Sequence, residues 1–176
     1  MRSYILWTLG GILLLCRAAM GMDLTPEAVG ARTSFPGNTH AEHFFEAEIC
    51  ADWDLPWRWN LGSDWNLLTR LDTSAGWLQN RNVYSFLWTL GPGLALGRER
   101  WPVRLVGGGS PTLLSRYEFP DHDLGIPLQF TSYGGLEWDI TSRFRLDYRY
   151  KHMSNGGLDG HNPGLNFHSV GLSYVF

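Results

Sequence analysis

The chain of 176 residues predicts an all-β fold, an eight-stranded antiparallel transmembrane β-barrel of the outer membrane. Three observations carry that expectation. Aromatic residues make up 14% of the chain and glycines number 21, so strand formers and turn formers are both abundant. From Glu27 onward the sequence breaks into stretches of about ten residues with period-two alternation, separated by Gly, Pro, Asn and Asp clusters, as transmembrane barrels do. Although 44% of the residues are hydrophobic, no segment beyond the N-terminal run has the length of a membrane helix. A membrane location then requires strands closed on themselves, because lipid cannot satisfy a free backbone N–H or C=O.

The first residues read as a signal for export. Arg2 precedes an apolar run over 5–15, and the small residues Ala19 and Gly21 follow in the spacing of a cleavage site. The run is shorter than the ~20 apolar residues of a spanning helix. Residues 1–21 are therefore expected to be a signal peptide, with 22–176 as one barrel domain. Cys16 lies inside the apolar run and follows the bulky Leu15, which argues against lipid attachment there. Cleavage removes Arg2 and Arg17 and no acid, taking the formal charge from -3 to -5. That charge gives no reason to expect a nucleic-acid partner. Cys50 alone remains in the mature chain, so no intramolecular disulfide can form.

Eight stretches can be read in order: about 27–35, 40–53, 64–78, 82–97, 101–110, 125–139, 141–154 and 165–176. Successive side chains on a strand point to opposite faces. In the second, Phe45, Ala47, Ile49, Ala51 and Trp53 oppose Glu46, Glu48 and Asp52; in the third, Trp65, Leu67, Leu71 and Trp77 oppose Arg70 and Asp72. The fourth alternates Tyr84, Phe86, Trp88 and Leu90 with smaller residues, and Gly107, Gly108 and Gly109 end the fifth, where a bulge, a bend or a close approach is permitted. The sixth alternates Leu128, Phe130, Leu136 and Trp138 with Gln129, Thr131 and Glu137. In the seventh, Phe144, Leu146, Tyr148 and Tyr150 share one face, and Arg145, Asp147, Arg149 and Lys151 the other. In a closed barrel the charged faces meet in the lumen and pair. Trp53, Trp65, Trp77, Trp101 and Trp138 fall near strand ends, as interfacial girdles require.

The seventh stretch ends in chemistry. Its parity places His152 and Ser154 on the lipid-facing side, with Cα atoms roughly 6.5 to 7 Å apart, a nucleophile and a base from one strand. In the eighth, Val170, Leu172, Tyr174 and Phe176 define the apolar face, and His168 and Asn166 continue it backwards. Asn166 can therefore stand beside His152 on the neighbouring strand. The intervening loop, NGGLDGHNPG, holds glycines whose backbone N–H groups can converge on an oxyanion. Asp159 and His161 read as solvated loop residues. An even number of strands leaves both termini periplasmic, so this last connection is external and the substrate is a lipid of the outer leaflet, lipopolysaccharide being the abundant acylated one.

At His152-x-Ser154-Asn155-x-Gly157 and Asn162-x-Gly164 the chain resembles the PagL-type lipid A 3-O-deacylases, also called the acyloxyacyl hydrolase family. Ala28-Val29-Gly30 and the strand order look like the family as well. The resemblance implies an outer-membrane serine esterase that removes the acyl chain at the 3-position of lipid A, with Ser154 as nucleophile and His152 as general base. It places oxyanion stabilisation at Asn162 and near Gly156 and Gly157, with Asn155 ordering the turn. The chain departs from the family at Asn166, where the best-known members carry Glu. An Asn accepts an imidazole N–H but adds no negative charge.

No cofactor or metal is expected, since no acids stand at calcium-ligand spacing. Expected partners are lipopolysaccharide, outer-membrane lipids and, because the last strand ends in an aromatic residue, the barrel-assembly machinery; a homodimer is left open. The alternatives are a non-enzymatic adhesin or structural barrel, and a phospholipase or acyltransferase on the same scaffold.

Overall fold

The computed structural model describes residues 25–160 and 164–176. The expected signal peptide over 1–21 lies outside them, as do His161 and Asn162. Ten strands follow in order: β1 (Ala28–Pro36), β2 (Phe44–Gly62), β3 (Trp65–Asn80), β4 (Val83–Arg98), β5 (Val103–Leu114), β6 (Glu118–Phe119), β7 (His122–Asp123), β8 (Leu128–Asp139), β9 (Phe144–Ser154) and β10 (Leu165–Val175). Eight of them close an antiparallel barrel in the order β1-β10-β9-β8-β5-β4-β3-β2. β6 and β7 form a separate two-stranded hairpin in the connection from β5 to β8. Closure leaves no sheet edge along the barrel wall, as lipid demands.

Each expected stretch is a strand of the barrel, with two instructive differences. β2 continues to Gly62 instead of stopping at Trp53. Pro56 cannot donate to the ladder, so the register breaks between Asp54 and Arg58 and then resumes against β3. Residues 40 and 41, read as the start of the second strand, instead lie in a short 3-10 turn (Thr39–Ala41) capped by the Asn38 side chain, which accepts from the Ala41 amide at 3.1 Å. Beside the glycine triplet, β4 and β5 keep register from Thr89↔Thr112 to Gly93↔Gly108, but no pairs form between. Pro92 and Pro111 lie in that gap, and neither has an N–H to give.

The turns 63–64, 99–102 and 140–143 are short, whereas three of the four connections at the other end, 37–43, 115–127 and 155–164, are longer (the fourth, 81–82, has two residues), which marks the latter end as external. Parity divides the wall as the alternation requires. Ile49, Trp77, Trp88, Leu136, Trp138, Tyr148 and Leu172 are exposed on the outside. Trp101 and Trp138 lie towards the short-turn end and Trp77 and Tyr84 towards the other.

The lumen is packed with ions. Glu137 receives Arg70 at 2.7 Å and Arg149 at 3.3 Å, with Arg104 and Arg145 within 3.9 Å. Arg32 reaches Asp147 at 2.9 Å, and Lys151 binds both Glu46 and Glu48. Every buried charged residue has an ion-pair partner. Charge is thus balanced where water is excluded, although Arg70 Nη2 and Asp52 Oδ2 find no hydrogen bond among the described residues. Towards the external end the filling changes to hydrocarbon: Phe44, Leu78, Leu87, Leu114, Phe119, Leu124, Met153, Leu165 and Phe167 form one buried cluster. Alternation alone did not reveal this plug, because Phe119 and Leu124 come from the loop that carries the β6–β7 hairpin.

Candidate active site

The hairpin of β9 and β10 pairs Asn166 directly with His152 and His168 with Tyr150, all four on the outer face. His152 is exposed, and its Nδ1 lies 2.7 Å from Asn166 Oδ1. An amide oxygen only accepts, so the contact requires the proton on Nδ1 and leaves Nε2 as the basic nitrogen. Ser154, two residues further on, shares the face but is only 8% exposed. No hydrogen bond joins its hydroxyl to the imidazole or to any other described residue. His152 and Ser154 do line one groove of about 310 Å³, together with Phe130, Ser132, Pro111 and Gly109.

Two loops fix the imidazole and its partner. A Cβ on Gly164 would stand 2.6 Å from His152 Cε1, so the ring lies against a residue with no side chain to displace it. The connection from β1 to β2 holds the main chain of Asn166: the Gly37 amide donates to the Asn166 carbonyl at 2.7 Å, and the Asn166 amide donates to Asn38 Oδ1 at 3.4 Å. A Cβ at Gly37 would meet Asn166 at 3.1 Å, so this close approach too depends on a glycine.

The loop after Ser154 is a tight turn in which Gly156 and Gly157 have φ of 66° and 81°. Asn155 is buried; its Oδ1 accepts from the Gly157 amide at 2.8 Å and its Nδ2 donates to the Leu124 carbonyl at 3.2 Å. The Gly157 amide, counted above among the oxyanion donors, is therefore committed to Asn155, and Gly156 remains as the described glycine of that pair. Asn162 lies outside the described residues. Asp159 is exposed beside Gly125. Among the described residues, no three His, Cys, Asp or Glu side chains converge as metal ligands would.

The sequence did not point to the groove residues on β5 and β8. Ser132 pairs with His152 and Phe130 with Ser154. Parity put Phe130 on the outside, but only the register brings it to the site. A second polar contact, Tyr148 hydroxyl to His168 Nδ1 at 2.8 Å, lies on the same wall nearer the periplasm.

A closed, ion-filled barrel with an apolar exterior and a polar set on that exterior defines an outer-membrane barrel whose lumen is filled and whose His152–Asn166 cluster lies on its wall. A family model described as lipid A 3-O-deacylase (PagL) matches residues 45–175. The chain belongs to the lipid A 3-O-deacylase (PagL) family, which are hydrolases of an ester-linked acyl chain. It is similar, at 25% identity across 94% of both chains, to the lipid A deacylase PagL of Bordetella bronchiseptica. Among solved structures it resembles the outer membrane enzyme PagL, with a TM-score of 0.73 and 18% identity over 85% of this chain and 99% of that one. The N-terminal β-barrel domain of Pseudomonas aeruginosa OprF matches at a TM-score of 0.50 and 11% identity, over 86% of this chain and 98% of the other. These two likenesses speak for the fold.

Proposed function

We propose that the protein removes the 3-O-acyl chain of lipid A in the external leaflet, using Ser154 as nucleophile, His152 as general base and Asn166 as the group that orients the base. The observation that carries this reading is the His152 Nδ1–Asn166 Oδ1 contact of 2.7 Å on the lipid-facing wall, with Ser154 on the same face. Ser154 Oγ attacks the ester carbonyl carbon as its proton passes to His152 Nε2. The tetrahedral intermediate collapses, the sugar oxygen leaves with that proton, and an acyl-serine remains. Water, deprotonated by His152, then releases the fatty acid and restores the hydroxyl. The Gly156 amide and the Asn162 side chain are assigned to the oxyanion, with Gly157 joining only if it leaves Asn155. Because Asn166 carries no charge, its part is to hold the tautomer.

All these residues belong to one chain, so the chemistry needs no second copy. The aromatic residues at the end of the last strand, Tyr174 and Phe176, are assigned to recognition by barrel-assembly machinery. Mass spectrometry of lipid A from cells with and without the protein provides the test. Wild type should shorten lipid A by one acyl chain, and Ser154→Ala should leave it intact while still inserting as a folded barrel. Unaltered lipid A beside folded wild-type protein would sink the reading, and acyl release from phospholipid vesicles alone would redirect it to a phospholipase.

A further inference from the structure

We infer that the barrel carries a second lipid site on the wall opposite His152, and that it holds a glycolipid of the external leaflet, one acyl chain outside the rim and the sugar headgroup inside the mouth. The site stands apart from Ser154 and from the hydrolase reading. β9 and β3 are four strands apart whichever way the ring of eight is followed. Phe45 pairs with Gln79 on the outer face of β2 and β3, and their chain neighbours Phe44 and Asn80 pair on the inner face. Outside, Phe45, Ala47, Trp77, Gln79 and Tyr84 line an apolar groove of about 410 Å³. Ala47 stands across from Trp77, and its single methyl group leaves the gap between the larger rings. Inside, Phe44 and Asn80 line a polar pocket of about 510 Å³ in the external mouth, together with Arg81 of the β3–β4 turn and residues of the β1–β2 connection and the β6–β7 hairpin. The rim formed by these two pairs divides groove from pocket.

Two features of the pocket point to a ligand. Asn80 is only 1% exposed, yet its Oδ1 has no hydrogen-bond partner among the described residues. A buried acceptor left alone is costly unless something in the pocket donates to it. Arg81 has a φ of 52°, a conformation that in a two-residue hairpin turn belongs to glycine or asparagine. Strain of this kind is kept where the side chain serves a purpose. The Arg81 guanidinium reaches Asp121 of the β6–β7 turn at 2.6 Å, and the Gln79 side chain donates to the Arg81 carbonyl at 2.7 Å, which ties turn, groove and pocket together. The lining selects the headgroup. Glu42 and Asp121 both border the pocket and oppose a bare phosphate there. Sugar hydroxyls donate and accept, so they suit two carboxylates, an amide oxygen and a guanidinium at once. The His122 ring lies edge to face with Phe44 at 5.7 Å and with His40 at 6.0 Å, and these rings give the sugar an apolar wall. The groove alone gives little hold, because lipid tails are as apolar as the wall and only shape distinguishes them. The occupant therefore needs both parts, a sugar and an acyl chain.

The experiment uses the full-length Ser154→Ala barrel as parent, so that no bound lipid is consumed, and counts lipids retained after detergent exchange by native mass spectrometry. The probes are lipopolysaccharide and, separately, phosphatidylethanolamine. Arg81→Gly and Ala47→Leu, each added to the parent, should lose one bound lipopolysaccharide per barrel. Arg81→Gly relieves the strained turn and gives up only an exposed ion pair, so its urea midpoint should match or exceed the parent's and its lost binding is not misfolding. Heat-modifiable electrophoretic mobility reports folding, and if either variant fails to fold the other decides. An unchanged lipopolysaccharide count in the folded variants overturns the second site. A parent that retains no lipopolysaccharide, or retains phosphatidylethanolamine equally well, overturns it too. Wild type that leaves lipid A uncut, by contrast, counts against the reading of Ser154 alone.

Discussion

At Gly164 a methyl group would press on His152 Cε1 from 2.6 Å, so one carbon is enough to tilt the imidazole away from Asn166. Gly164→Ala is expected to lower the deacylation rate on the order of 10²-fold, the usual result of a displacement near 1 Å in a reacting group, while barrel stability stays near wild type. Rate measurements beside a urea unfolding curve check both halves; equal rates would show that the ring tolerates the push. Much at this scale was legible in the sequence. Period-two parity alone set His152 and Ser154 on the outer face and Asn166 on the matching face of the next strand. The Gly164–imidazole contact was not legible, because a loop approaching a ring leaves no periodic trace. Nor was the lack of a bond between Ser154 and His152, which depends on side-chain torsions.

Among the elements, the connection from β9 to β10 depends on Asn155, which ties its own turn through Gly157 and ties the loop across to Leu124. Asn155→Ala leaves the Leu124 carbonyl and the Gly157 amide without these partners, at a cost of about 1–3 kcal/mol. Faster limited proteolysis within 155–164, with the strands intact, is the expected outcome; an unchanged cleavage rate would mean the loop is held elsewhere. Strand existence was readable because alternation repeats over many residues. Strand ends were less so: Asp54, Leu55 and Pro56 look like a stop, yet β2 passes them with a register break and regains its ladder at Arg58. The β6–β7 hairpin, Glu118–Phe119 with His122–Asp123, has too few residues for any period to show.

For the whole molecule, Glu137 is the acid around which Arg70, Arg104, Arg145 and Arg149 gather. Glu137→Gln leaves four guanidinium groups, three of them buried, sharing fewer acids. It is expected to cost about 3–5 kcal/mol, seen as a lower urea midpoint with the site still able to form in barrels that remain folded. A midpoint equal to wild type would mean that Asp52 and Asp139 suffice. The sequence showed which strands carry acids and which carry bases. It did not show who pairs with whom, because pairing across a lumen depends on how the closed sheet brings distant strands face to face.

The filled lumen and the proposed site on the wall together change what concentration means for this protein. A porin samples the medium, whereas a barrel acting through the proposed Ser154 site samples only the two-dimensional fluid around it. Its encounter rate therefore follows the mole fraction of substrate in the leaflet and the viscosity of that leaflet, and the volume of medium outside the cell does not enter.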